Sequence, residues 1–250
     1  MNPSAEPEIR VSEIASSCES HPVRVFRRAG FTVPELLAVG AVLGVLAGFL
    51  IPSVWQGLAQ ARQAKCLANQ RQIGLALQLY AADHQGEFPP STHTTGRRRA
   101  EESWIFALGP YLENVDEIRI CPAESPARRQ TIRTLQATSY VLNDLVFDDP
   151  VYYRPTALPF PSRTLLLATL SESRAPSATS DHIHGAEWTS WRNVLRDIEP
   201  DRHRTGKRSA DRTKGSANYL FADGHAEAIS AQTFKSLLDR HLNPAAVPTE

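Results

Sequence analysis

Gly30-Phe31-Thr32-Val33-Pro34-Glu35-Leu36-Leu37 opens a run that stays apolar through Ile51-Pro52 to Trp55. Its one charge is Glu35, and an ionisable group at the edge of such a run is expensive in lipid, so it points to function. Arg24, Arg27 and Arg28 stand just before it. As a helix, residues 31–55 would reach about 37 Å at 1.5 Å per residue, enough to cross a hydrocarbon core of about 30 Å. A soluble core helix is disfavoured, because the run lacks a polar face and carries arginines on one side. A secretory signal would have a shorter apolar region ending in a small-x-small site. Gly40, Gly44 and Gly48 form a stripe of small residues of the kind that lets helices approach closely in a membrane, and Trp55 falls where an interfacial aromatic belongs. The arginines predict a cytoplasmic N-terminus and a large domain on the other side. Arg62 and Lys65 argue weakly the other way, but a long following domain translocates largely regardless of nearby charge.

The 250 residues hold 27 basic and 27 acidic side chains. No clustered basic surface emerges of the kind a nucleic-acid partner would need, and Arg97-Arg98-Arg99 reads as a solvated loop. The chain beyond the apolar run is long enough for one soluble domain with its own core.

From Ser53 to about Asp83 the helix is expected to continue. Cys66, Ile73, Ala76, Leu77 and Tyr80 fall on one arc of it, with Arg71 and Gln78 facing away. Leu75 and Leu79 lie on the far side, either touching a neighbouring subunit or simply exposed. Gly86 is placed near the helix C-terminus, and Pro89-Pro90 forbid resumption. Helix from Phe31 to His84 would span roughly 80 Å, which is hard to explain for an isolated enzyme and suits a filament subunit. Beyond it we expect a polar loop over 91–102, a short helix over 104–112, and strands over 118–122, 139–143 and 163–170. The last, with Leu165-Leu166-Leu167, should be buried on both faces. Residues 124–136 read as polar loop, 148–161 as irregular, and 171–212 as a long histidine-bearing stretch with a helix near 188–198. Residues 217–222 and 225–229 around Asp223-Gly224 predict a hairpin with a two-residue type I′ turn. Ser230 is positioned to cap a final helix over 231–242.

The opening motif resembles the cleavage and methylation site of type IV prepilins and type II secretion pseudopilins. The resemblance implies that a prepilin peptidase cuts between Gly30 and Phe31, that Phe31 becomes N-methylated, and that Glu35 pairs with the N-terminal amine of a neighbouring subunit. Pro52 stands where that family often has a proline. The physics agrees: a buried carboxylate is tolerable beside a buried ammonium, Pro34 costs little in a first helical turn, and Pro52 should kink or locally melt the helix. A narrower resemblance joins Cys66-Leu67-Ala68-Asn69-Gln70-Arg71-Gln72-Ile73-Gly74-Leu75-Ala76-Leu77, Tyr80, Phe88-Pro89, Cys121-Pro122 and Asn218-Tyr219-Leu220-Phe221-Ala222-Asp223-Gly224 to the prepilin-like proteins of planctomycetes. These often end in a histidine, nine residues, then Asp-Gly. Here His203 precedes Asp223 by 20 positions, and 207–214 reads as an inserted basic loop.

The expected organisation is a cleaved leader over 1–30, disordered over its first 21 residues, a transmembrane helix over 31–55 and its continuation over 56–88. An exported domain over 89–245 and a tail over 246–250 complete it. The fold class is α+β, with a long N-terminal helix against a small antiparallel sheet bearing a C-terminal hairpin and helix. Of Cys18, Cys66 and Cys121, cleavage would leave the last two, either disulfide-bonded or as ordinary buried thiols. The function expected is a pseudopilin or minor pilin-like subunit of a type II secretion or type IV pilus-like apparatus. It would sit in the inner membrane with prepilin peptidase and other pseudopilin subunits as partners, without nucleic acid, cofactor, metal or catalytic residue. Two rivals stand beside it. One is a membrane-anchored hydrolase with a metal on Asp181, His182 and His184, completed by Asp201, His203, Asp223 or His225. The other is a non-polymerising envelope binding protein.

Overall fold

A computed structural model describes residues 30–92, 103–177 and 180–249. The expectations for the leader up to residue 29, with Cys18, and for Arg97-Arg98-Arg99 lie outside these residues. Helix α1 runs Val33–Asp83. The remaining described helices are α2 (Trp104–Ala107), α3 (Val115–Ile118), α4 (Pro126–Thr134), α5 (Asp144–Phe147), α6 (Trp191–Asp197) and α7 (Ala231–Asp239). Strands β1 (Tyr140–Leu142), β2 (Leu165–Thr169), β3 (Ser216–Phe221) and β4 (Ala226–Ser230) form a sheet in the order β1-β2-β3-β4, every neighbouring pair antiparallel. The α+β class expected from the sequence is the class observed.

The chain divides into two units, at Phe49 and Leu50. Every described residue of the first unit is exposed, Phe31 and Phe49 each by about three quarters. A long, exposed apolar helix is a candidate membrane span. The helix runs unbroken through Pro52, so the expected local melting does not occur. Proline removes one rung of the ladder, and the residues on both sides stay helical.

In the second unit α1 buries Cys66, Asn69, Gln70, Ile73, Gly74, Ala76, Leu77 and Ala81, a stripe at helical spacing. Leu75 and Leu79 stay exposed. The helix ends in a Schellman arrangement: the Gly86 amide donates to the Ala81 carbonyl at 2.8 Å. Gln85, at φ 56°, takes the left-handed position with Gly86 one residue beyond it.

One sheet face meets α1. Ile73, Ala76 and Leu77 pack there with Tyr140, Leu142, Leu166, Leu167 and Leu220. The opposite face carries Val141, Leu165, Ala168 and Tyr219 under Trp188, Val194 and Phe234. Successive strand residues thus alternate between two cores. A register shift between Leu165 and Leu167 puts Leu166 and Leu167 on the same side. All of β2 is buried, as expected for a strand covered on both faces.

Helix α1 sits close to β3. A Cβ added to Gly74 would stand 2.7 Å from Leu220 Cδ1. A polar seam runs along the same line. Gln70 Nε2 donates to the Asn218 carbonyl at 2.9 Å, Asn218 Nδ2 to the Gln63 carbonyl at 2.9 Å, and Gln63 Nε2 to Ser216 Oγ at 2.9 Å. Gln78 and Arg71 do not point away from the domain. They donate to the carbonyls of Ala222 and Ala226, at 3.0 and 3.4 Å.

Three local expectations are corrected. Residues 118–122 form no strand, since α3 ends at Ile118 and a turn comes next. Asn114 caps α3 by accepting the Glu117 amide, and buried Arg119 donates to Asp116 at 2.9 Å and to the carbonyls of Ile132 and Ala137. Residues 126–134 are helix α4, not loop: Ser125 accepts the Arg128 amide and Pro126 occupies the first helical position. The Asp223-Gly224 turn is not type I′, because Gly224 has positive φ and Asp223 does not. The Gly224 amide reaches the Phe221 carbonyl at 3.0 Å, and the Phe221 amide reaches the His225 carbonyl at 2.9 Å. These bonds make a three-residue loop, a type I turn closed by a glycine bulge.

The stretch after β2 is held by ion pairs. Glu124, Glu199, Asp201 and Arg202 are all buried. Arg202 bridges Glu124 at 3.2 Å and Glu172 at 2.8 Å. Arg208 reaches Glu172 at 2.7 Å and Glu199 at 2.5 Å, and Arg212 pairs with Asp201 at 2.6 Å and with Glu199. Burial would raise the Glu172 carboxyl, but Arg202 and Arg208 hold it below the usual range. The basic run over 207–214 is therefore a clamp on buried carboxylates.

Two measurements of unfolding on the detergent-solubilised chain check this description. Gly74→Ala should destabilise by about 1–2 kcal/mol, overpacking against Leu220 outweighing the helix propensity gained. Gly57→Ala, whose Cβ meets nothing, should stabilise by up to about 1 kcal/mol. Arg212→Ala should cost about 3 kcal/mol by uncovering buried charge, whereas Lys235→Ala, which breaks a surface pair with Asp239, should cost less than about 1 kcal/mol.

Candidate functional site

At the head of α1 the opening motif folds into a capping box. The Glu35 amide donates to Thr32 Oγ1 at 3.4 Å, and Glu35 Oε2 accepts both the Thr32 amide and its hydroxyl at 2.7 Å. Thr-x-x-Glu before an apolar run is the sequence form of this motif, a signal that the charge reading of Glu35 passed over. Gly30 and Phe31 precede the helix as exposed chain outside any regular element.

A second constellation lies within the globular unit, beneath the middle of α1. Cys66 comes from α1 and Cys121 from the turn after α3. His203 comes from the segment that bridges to Ser216 at the start of β3. The two sulfurs and an imidazole nitrogen lie within 4.8 Å of one another, and all three residues are buried. Both thiols are free, so the pair considered as a disulfide is brought together without a bond. The hydroxyl of Tyr140 lies 3.5 Å from Cys66 Sγ, and Asn218 Nδ2 lies 3.5 Å from His203 Nε2.

The two thiols are electrostatically unequal. Hydrogen bonding from Cys121 holds the Cys66 thiol below its ordinary value against the opposing effect of burial. Burial pushes the Cys121 thiol well up, and contact with Cys66 adds to it. Burial also pushes the Tyr140 phenol well up. An open pocket beside the cluster is lined in part by Arg62, Ala123, Arg202 and His203.

The histidines singled out as a metal half-site do not join this cluster. His182 Nδ1 lies 2.9 Å from Asp181 Oδ1, and Asp181 also accepts the amide and hydroxyl of Thr92. The rings of His182 and His184 are 5.3 Å apart. The His184 amide and Trp188 Nε1 both donate to Asp197 Oδ2, at 3.0 and 2.9 Å. These bonds fasten the stretch after β2 onto the second core. Asp201 is taken up by Arg208 and Arg212. Ser171 Oγ donates to the Leu195 carbonyl at 2.7 Å and to no imidazole. Asp223 accepts the His225 amide at 3.0 Å and sits 2.5 Å from its ring, so Asp223 and Gly224 shape the hairpin turn.

The sequence profile of one family, SBP_bac_10, described as a protein of unknown function (DUF1559), matches residues 59–118. No curated protein and no solved structure matches the chain. The matched stretch takes in the part of α1 that carries Cys66 and seats on the sheet, and continues through α2 and α3.

Proposed function

We propose that the chain is a pilin-like structural subunit, a pseudopilin or minor pilin of a type II secretion or type IV pilus-like apparatus. In this reading a prepilin peptidase cuts between Gly30 and Phe31, and Phe31 is N-methylated. The mature protein sits in the inner membrane as a single span, with the second unit on the side away from the cytoplasm. Its role is assembly with other subunits, not catalysis. The observation that carries the reading is Gly30-Phe31-Thr32-Val33-Pro34-Glu35 set against an apolar helix whose described side chains are all exposed up to Phe49. The matching family is typical of planctomycete prepilin-like proteins, which supports the same conclusion.

The chemistry of Glu35 fits. In the uncut chain its carboxylate is occupied by Thr32. Cutting after Gly30 creates an ammonium on Phe31 one residue from that cap. In lipid, an ammonium from a second copy is a stronger partner for a carboxylate than a hydroxyl. Exposed Leu75 and Leu79 then lie on the helix face free to meet neighbouring subunits.

Mass spectrometry of the mature N-terminus tests the processing. An N-methylated Phe31 is expected, and an intact Met1 or a terminus beyond Trp55 would overturn it. Crosslinking in native membranes tests assembly. Ladders of like subunits should form, and Glu35→Ala should reduce them at least tenfold while leaving cleavage intact; ladders unchanged by that substitution would remove Glu35 from the interface.

A further inference from the structure

We propose that Cys66, Cys121 and His203 form a site for a thiophilic divalent cation, of which zinc is the prime candidate. Three residues distant in sequence converge on one buried point, with two sulfurs and a nitrogen within 4.8 Å of one another. An ion about 2.3 Å from thiolate sulfur and about 2.0 Å from imidazole nitrogen holds its ligands roughly 3.5–3.8 Å apart in a tetrahedron. The cluster needs only a small contraction to reach that spacing. Two thiolates and a neutral imidazole also cancel the charge of a divalent ion, which suits a dry site.

The polar groups around the cluster are incomplete without such an ion. His203 is only 9% exposed, and its Nδ1 has no hydrogen-bond partner among the described residues. Asn218 is fully buried, and its Oδ1 also has none. Buried polar atoms are normally satisfied, and a buried imidazole in contact with two free thiols has the donor set that a thiophilic cation takes. A disulfide would satisfy the sulfurs and leave the imidazole stranded, whereas a cation engages all three. The support expected around a metal site is present: Asn218 lies against the His203 ring and is itself anchored to the Gln63 carbonyl, and Tyr140 lies against Cys66. The pocket lined by Ala123, Arg202 and His203 borders the site on its imidazole side. With three protein ligands, the fourth position is left to water or a small solute.

An ion here would tie α1, the turn at Cys121 and the approach to β3 into one unit. The proposal does not depend on polymerisation and stands or falls separately from the pilin-like reading.

The test uses the full chain, purified in detergent with its thiols reduced, offered zinc, and dialysed. About one zinc per chain is expected, and cobalt in its place should give strong thiolate-to-metal absorption. Cys66→Ser, Cys121→Ser and His203→Ala should each reduce retained metal at least tenfold. His203→Cys should retain it, and so should the double variant His182→Ala, His184→Ala. If a variant fails to fold, the cobalt spectrum of the unaltered chain decides. Absence of stoichiometric metal with both thiols reduced would overturn the proposal. So would a Cys66–Cys121 disulfide in chain isolated without reductant, or metal retained in all three ligand variants.

Discussion

The close seating of α1 on β3 is the constraint on which the globular unit depends. Gly74 lets the helix come within a methyl group of Leu220, and at that distance the polar side chains of the helix reach the strand backbone directly. Gln70 and Asn218 then pair across the gap. A larger residue at Gly74 would lift the helix and unmake the seam, because a packed interface has no spare volume to absorb it. The same approach places Cys66, two turns earlier, against Cys121 and Tyr140.

Around that contact the unit solves two burial problems with different means. The α1 face of the sheet is filled by leucines, isoleucine and aromatic rings, which need only shape. The unit also contains Glu124, Glu199, Asp201 and Arg202 with almost no access to water. Charges there persist only because Arg208, Arg212 and Glu172 close the network. Networks of this kind contribute little net stability over an apolar core, but they penalise any arrangement that leaves one member unpaired. They fix where the stretch after β2 must lie, and hence where His203 arrives.

α1 also joins two regimes of solvation in one helix. Up to Phe49 its described residues are all exposed, and from Cys66 onward its buried stripe contains amides as well as methyl groups. The first part is apolar on every side, as lipid demands. The second is one-sided, as a sheet demands. Proline at the 52nd position, near the division between the units, leaves the helix unbroken.

Local chemistry in the sequence determined much of this. Thr32-x-x-Glu35, the uninterrupted apolar run, the Leu165-Leu166-Leu167 strand, the Asp223-Gly224 hairpin and the Ser230 cap each depend on neighbours a few residues away. They are legible for that reason. The errors arose where distant partners outvote local pattern. Ile118-Arg119-Ile120 alternates like a strand, yet Arg119 turns inward to meet Asp116 and the carbonyls around α4. Residues 126–134 look too polar for a packed element, yet Ile132 is buried against Ile120 and Ala137. The basic run at 207–214 reads as an inserted loop until the carboxylates it covers are known. The sequence offered Cys66 and Cys121 as a pair, but the arrival of His203 beside them was beyond it. No spacing encodes it, because the helix, the turn and the strand that bring them together are arranged only by tertiary packing.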